Sequence, residues 1–180
     1  DIVVLSGSLP KGAPADTYRT WVTACREKGA KVILDADGKL LAAGLEASPY
    51  LIKPNNHELS GLLGQRLETK EELKEAACRL MERYGIAKVV VSMGGDGALY
   101  VTKDAAVYAE GLKVPVGSTV GAGDSVVAAL AVAEERGFSL EEAVRLSTAT
   151  GAANVMCSGT QAAEYEVIEG LLAKVVFRPL

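Results

Sequence analysis

Histidine and tryptophan each occur once in the 180 residues, phenylalanine twice and cysteine three times. A single histidine, His57, cannot build a multi-histidine metal centre. Cys25, Cys78 and Cys157 are odd in number, widely spaced and free of zinc-type pairing, so they read as reduced packing residues of a cytosolic protein. Positive charge is not in excess. Against 19 Lys and Arg stand 23 Asp and Glu, a formal charge of −4, which gives no general attraction to nucleic acid or to an anionic membrane surface. No apolar run approaches the roughly 20 residues needed to span a bilayer. There is no Gly-x-x-x-x-Gly-Lys-Ser/Thr, which excludes a P-loop enzyme, and no strand leading into Gly-x-Gly-x-x-Gly, which weighs against a dinucleotide-binding unit. Internal repeats, low-complexity tracts and linkers are missing too, so nothing marks a second domain.

What is present describes a core-forming α/β chain: 49% hydrophobic, 23% charged and 19 glycines. Apolar runs predict strands over residues 1–6, 31–35, 50–52, 87–93, 98–102 and 105–109. The first of these, Ile2-Val3-Val4-Leu5, reads as buried. Helical spacing covers 14–28, the stretch after Asn55, 69–83, the run after Asp124 to about 136, 139 to about 157, and 165–174. Three capping boxes open helices: Asn55 with Glu58, Thr69 with Glu72, and Ser139 with Glu142. Strands alternating with helices predict a three-layer α/β/α sandwich with a mostly parallel sheet.

The stretch with most chemical content is Ser118-Thr119-Val120-Gly121-Ala122-Gly123-Asp124, followed at once by a helical apolar run. Two glycines in three residues let a ligand approach the backbone, and the helix start offers unpaired N–H groups and the positive end of its dipole, which suits a phosphate. Asp124 then falls in the first helical turn, where its carboxylate is placed to take a proton from a hydroxyl beside the anion. The plainer alternative is a turn whose aspartate caps the helix. Other loops leave the C-terminal ends of predicted strands, where open parallel sheets collect ligands. Ser6 ends the first strand with Ser8 in the loop after it, and Asp35 ends the second. Lys53-Pro54-Asn55 follows the third, and Ser92 with Gly94-Gly95-Asp96-Gly97 follows the fourth. Each of these also has a plain structural explanation as a turn or a cap.

Taken together and in order, these pieces resemble the PfkB, or ribokinase-like, family of sugar kinases. The resemblance rests on Ser6-Gly7-Ser8-Leu9-Pro10, Lys53-Pro54-Asn55 with Glu58, Val91 to Ala98, Ser118 to Asp124, and Gly159-Thr160, and it runs to about residue 170. Within the family the chain is most similar to the phosphosugar branch of phosphofructokinase and tagatose-6-phosphate kinase types. The resemblance implies a ribokinase-like fold of which residues 1–180 are the nucleotide-binding C-terminal portion. A further N-terminal part with a lid, through which relatives commonly form homodimers, would lie outside it.

It also implies ATP and magnesium. Asp124 would be the base, with Gly121, Ala122 and Gly123 holding the transferred group. Lys53, Asn55, Ser92, Gly94, Gly95, Asp96, Gly97, Ser118, Thr119 and Val120 would line the nucleotide, and the adenine would lie against the small residues around Thr148 and Ala152. Asn55 and Glu58 would serve magnesium through water. Ser6, Ser8, Asp35 and Asp124 would meet the acceptor. Carbonyls at Ser118, Val120, Asn154, Cys157 and Gly159 would surround a monovalent cation such as potassium. The expected reaction is ATP-dependent phosphorylation of a ketohexose phosphate. The alternatives are a free-sugar or nucleoside kinase of the same family, or a truncated nucleotide-binding protein without catalysis.

Overall fold

The computed structural model describes all 180 residues, and the chain divides into two compact units. The first comprises residues 1–92 with 99–106 and Leu180; the second comprises 93–98 and 107–179. The fold is α/β, with helices packed on strands that are partly parallel and partly antiparallel.

In the first unit β1 (Ile2–Ser6), β2 (Lys31–Asp35), β3 (Leu51–Ile52) and β4 (Lys88–Ser92) lie side by side in that order. The first three pairings are parallel, in registers that set Ser6 beside Asp35 and Leu34 beside Ile52. Parallel neighbours need crossovers. These are α1 (Thr17–Glu27), α2 (Gly38–Leu45), and the pair α3 (Asn56–Leu63) and α4 (Lys70–Tyr84). The core is aliphatic: Val32, Ile33, Leu34, Leu41, Leu45, Leu51, Ile52, Leu59 and Val89 are at most 1% exposed. Strand β5 (Ala98–Thr102) turns through residues 103–105, where the Thr102 N–H donates to the Ala105 carbonyl.

Both expected capping boxes of this unit form, at Asn55–Glu58 and Thr69–Glu72, each pairing side chain with backbone in both directions. Two expectations are corrected. Strand β1 is only half buried, Val4 being 41% exposed, because an edge strand has a single neighbour. The first helix begins at Thr17; Pro14 instead accepts the Thr17 hydroxyl and N–H in a preceding turn. Helix α2, whose sequence opens and nearly closes on glycine, went unforeseen.

The second unit holds β6 (Ala106–Ala109, its first residue counted with the other unit), α5 (Ala122–Arg136), α6 (Leu140–Val155), α7 (Tyr165–Leu172) and β7 (Phe177–Pro179). Strand β7 runs antiparallel to β6. Helix α6 packs on both α5 and α7. Ser139 and Glu142 form the third capping box. Gly94–Asp96 is a 3-10 turn.

Candidate functional site

The first unit gathers its polar groups at the C-terminal ends of the strands. Ser6 closes β1 in register with Asp35 at the end of β2, and the Gly7 N–H donates to the Asp35 carbonyl at 2.9 Å. Lys53, the residue immediately after the short strand β3, is 6% exposed, and its Nζ lies 3.3 Å from Asp35 Oδ1. A buried ammonium needs a partner, yet a buried ion pair is a weak source of stability compared with apolar residues of similar volume.

Asn55 and Glu58 follow directly. Asn55 Oδ1 accepts the Glu58 N–H at 2.8 Å, and Glu58 Oε2 accepts the Asn55 N–H at 2.8 Å. Asn55 also bridges to Ser92 in parallel fashion, with the Ser92 N–H donating to the Pro54 carbonyl. The structure therefore joins Ser6, Asp35 and Lys53 in one chain of contacts, and Asn55, Glu58 and Ser92 in the next. Ser8 lies exposed on the loop beyond Gly7, and His57 is exposed beside the cap. A hard divalent cation takes carboxylate and amide oxygens together with water. Asn55 and Glu58 supply such oxygens while also engaged in the cap, which fits a contact through water. No group of three or more His, Cys, Asp or Glu side chains is arranged around a metal position.

In the second unit the start of α5 differs from the capped helices. Its N-cap is Gly121, at φ +80 in the left-handed region, and no side chain caps it. A β-carbon would strain that backbone. Asp124 is exposed in the first turn of α5, three residues after the N-cap position. Of the nearby amides, the Val120 N–H reaches Ser118 Oγ at 3.2 Å, and the Ala122 N–H reaches the Thr119 carbonyl at a long 3.4 Å.

Beneath this turn lies Asn154. Its Nδ2 donates to the Gln161 carbonyl, but its Oδ1 is buried without a hydrogen-bond partner, 3.7 Å from where a β-carbon on Gly121 would sit. A buried acceptor left unsatisfied costs about 1–3 kcal/mol, and a donor or a cation would relieve it. The N–H groups of Gly117 and Ser118 both donate to the Val155 carbonyl, which ties the loop to the end of α6 beside Asn154 and Cys157. Thr119 and Val120 are exposed on that loop, and Gly159 is exposed in a left-handed turn further on. Thr148 and Ala152, both half buried, are four residues apart and share one face of α6. Gly151, three residues after Thr148, packs against α5, where a β-carbon would come within 2.7 Å of Val126. Part of the small-residue stripe thus serves helix packing.

The glycine-rich turn is also built by backbone contact. A β-carbon on Gly97 would fall 2.0 Å from the Ala109 carbonyl oxygen, and one on Gly111 would fall 2.1 Å from that of Gly95. Gly94, Gly95 and Asp96 remain exposed.

Missed by sequence reasoning are the side-chain oxygen of Asn154, two buried tyrosines described below, and the Asp35–Lys53 pairing. An asparagine within a run of small helical residues is the one signal that pointed toward the first. Three thiols, Cys25, Cys78 and Cys157, are half buried and free.

An α/β protein with a bare, glycine-led helix start and a lysine held ready at a strand end has the features of one that handles phosphorylated ligands. Residues 1–166 match the model of the pfkB family carbohydrate kinases, and the chain belongs to that family. The 1-phosphofructokinase of Bacillus subtilis is 40% identical over 177 residues, covering 97% of this chain and 57% of that protein. The crystal structure of phosphofructokinase-2 from Escherichia coli in complex with potassium matches at 34% identity and a TM-score of 0.90, over 96% of this chain and 56% of that one. The same enzyme in complex with fructose-6-phosphate matches at 32% identity and a TM-score of 0.88, over 96% and 55%. The chain spans a little over half the length of these relatives.

Proposed function

We propose that the protein carrying this chain is an ATP-dependent kinase of a ketohexose phosphate, fructose 1-phosphate, fructose 6-phosphate or tagatose 6-phosphate, within a ribokinase-like, mostly parallel three-layer α/β/α sandwich. One observation carries the proposal: α5 starts uncapped on a left-handed glycine, with the exposed carboxylate of Asp124 in its first turn. In phosphoryl transfer the protein chiefly positions the groups and stabilises charge. Asp124 accepts the proton of the acceptor hydroxyl. The N–H groups of Gly121, Ala122 and Gly123, with the positive end of the α5 dipole, hold the transferred phosphoryl group.

Ser118, Thr119, Val120, Gly94, Gly95, Asp96 and Gly97 line the nucleotide, and Thr148 and Ala152 face its base. In the first unit Lys53 contributes a point charge to the nucleotide phosphates, with Ser92 beside them, and Ser6, Ser8 and Asp35 meet the acceptor. Asn55 and Glu58 are the residues that would hold magnesium through water; when bound, that ion neutralises phosphate charge. A monovalent cation such as potassium fits the orphaned Asn154 Oδ1, with carbonyls of Ser118, Val120, Cys157 and Gly159 as further ligands. We place the enzyme in the cytoplasm with its metabolite substrates. No helix is long and apolar enough to cross a membrane.

A substrate panel tests the reading. The full-length protein with ATP and magnesium should turn over at least one of the three ketohexose phosphates far faster than free sugars or nucleosides. Faster turnover of a free sugar or nucleoside would move it to another branch of the family, and ATP binding without any turnover would make it a nucleotide-binding protein.

A further inference from the structure

Two buried tyrosines hold the backbone of loops that the kinase reading needs. Tyr18, on α1, is 2% exposed, and its hydroxyl donates to the Gly7 carbonyl at 2.8 Å. Gly7 opens the loop after β1 at φ +94, between Ser6 and Ser8, and its N–H is already given to the Asp35 carbonyl. Both backbone polar groups of this one residue are therefore held. A phenylalanine would fill the same volume with no polar atom to satisfy, so the hydroxyl is justified by its bond. Burial first, and then the nearby Asp35 carboxylate, pushes the Tyr18 phenol above its ordinary range, which keeps it a donor at physiological pH. In the other unit Tyr108, on β6 and 6% exposed, gives its hydroxyl to the Asp96 carbonyl at the end of the glycine-rich turn.

We propose that Tyr18 is a positioning residue for the acceptor loop 7–12, pinning Gly7 so that Ser6 and Ser8 are presented to the sugar phosphate. Tyr108 pins Gly94–Gly97 for the nucleotide in the same manner. The inference rests on the kinase reading. It adds to that reading a division of labour that neither tyrosine's place in the core requires. A ligand that binds one loop conformer is weakened by the fraction of time that conformer is lost, and loss of one such hydrogen bond corresponds to roughly a 3- to 10-fold change.

Tyr18→Phe and Tyr108→Phe in the full-length protein separate the roles, because each keeps the ring and hence the packing. With fructose 1-phosphate and fructose 6-phosphate as acceptors, Tyr18→Phe should raise the acceptor KM about 3- to 10-fold, with kcat and the ATP KM within about twofold of the parent. Tyr108→Phe should raise the ATP KM by a similar factor and spare the acceptor. Hydrogen exchange should quicken in residues 7–12 for the first variant and in 94–97 for the second, and nowhere else. Unchanged KM values, equal effects of both variants on both substrates, or quickened exchange with no KM change would each overturn the proposal. If the parent turns over no fructose phosphate, the kinase reading falls and takes the substrate role with it. Hydrogen exchange then decides separately whether the two hydroxyls pin their loops.

Discussion

The two units hold the polar groups of their candidate sites in different ways. In the first, the polar side chains are engaged with one another: Lys53 is paired with Asp35, and Asn55 and Glu58 close on each other in a capping box. In the second, groups are left open: α5 begins without a side-chain cap, and Asn154 keeps a buried amide oxygen with no partner. A ligand charge arriving at the first unit must exchange an existing contact for a new one, whereas a donor or cation reaching the Asn154 oxygen in the second displaces no existing hydrogen bond. Removing groups from the first unit should therefore damage stability as well as binding. Removing the Asp124 carboxylate from the second should damage chemistry far more than nucleotide binding.

The sharpest way to break this contrast is Asp124→Asn. Loss of a positioned base should lower kcat by about 10²–10⁴, with ATP affinity and thermal stability near those of the parent. Near-full turnover would end the assignment.

Lys53→Met comes next. It removes the ammonium beside the largely buried Asp35 carboxylate, and urea unfolding should show a loss of about 3 kcal/mol together with weaker ATP binding by calorimetry. Adding Asp35→Asn should restore part of the stability but not the nucleotide affinity, and strictly additive losses would show that the pair is not coupled. Gly97→Ala should cost about 1–3 kcal/mol, because its methyl group meets the Ala109 carbonyl on backbone at φ +105. A neutral result would mean that the turn and the 109–111 segment yield easily.

Ser139→Ala should cost about 1 kcal/mol, the usual value of a lost helix cap, measured in the same denaturation assay. The smallest effect is with pH. The Glu142 carboxylate is held below its ordinary value by the Ser139 hydroxyl and N–H, and Glu72 by the N–H groups of Glu68 and Thr69. A depressed carboxylate contributes stability that is complete above the unfolded value of 4.5 and is lost as pH falls through the lower folded value. Acid titration of stability should flatten slightly in Glu72→Gln and in Glu142→Gln, and by comparable amounts, since both units use the same device.

What could be read from residues alone follows from how local the cause is. The three capping boxes were legible because Asn55, Thr69 and Ser139 each act on a residue three positions away. The bare start of α5 was legible as Gly-Ala-Gly ahead of an apolar run. Helix α2 was not, because Asp37-Gly38 reads as a turn and the helical run is only eight residues long. Strand β7 was not, because three residues carry no period and its partner β6 lies some 70 positions earlier. The half-exposed face of β1 depends on what lies beside it rather than on its own sequence. In the candidate site, residue types and order were legible. The Asp35–Lys53 pairing, the orphaned Asn154 oxygen and the two tyrosine hydroxyls were not, since each depends on segments distant in sequence.

The central claim is that the start of α5 receives the migrating phosphoryl group while Asp124 deprotonates the acceptor. A crystal structure of the full-length protein with a non-hydrolysable ATP analogue and fructose 1-phosphate or fructose 6-phosphate tests it most directly. The account predicts the terminal phosphate over the N–H groups of residues 121–123 and an acceptor hydroxyl about 3 Å from an Asp124 carboxylate oxygen. A terminal phosphate seated elsewhere, or an acceptor hydroxyl out of reach of Asp124, would contradict it.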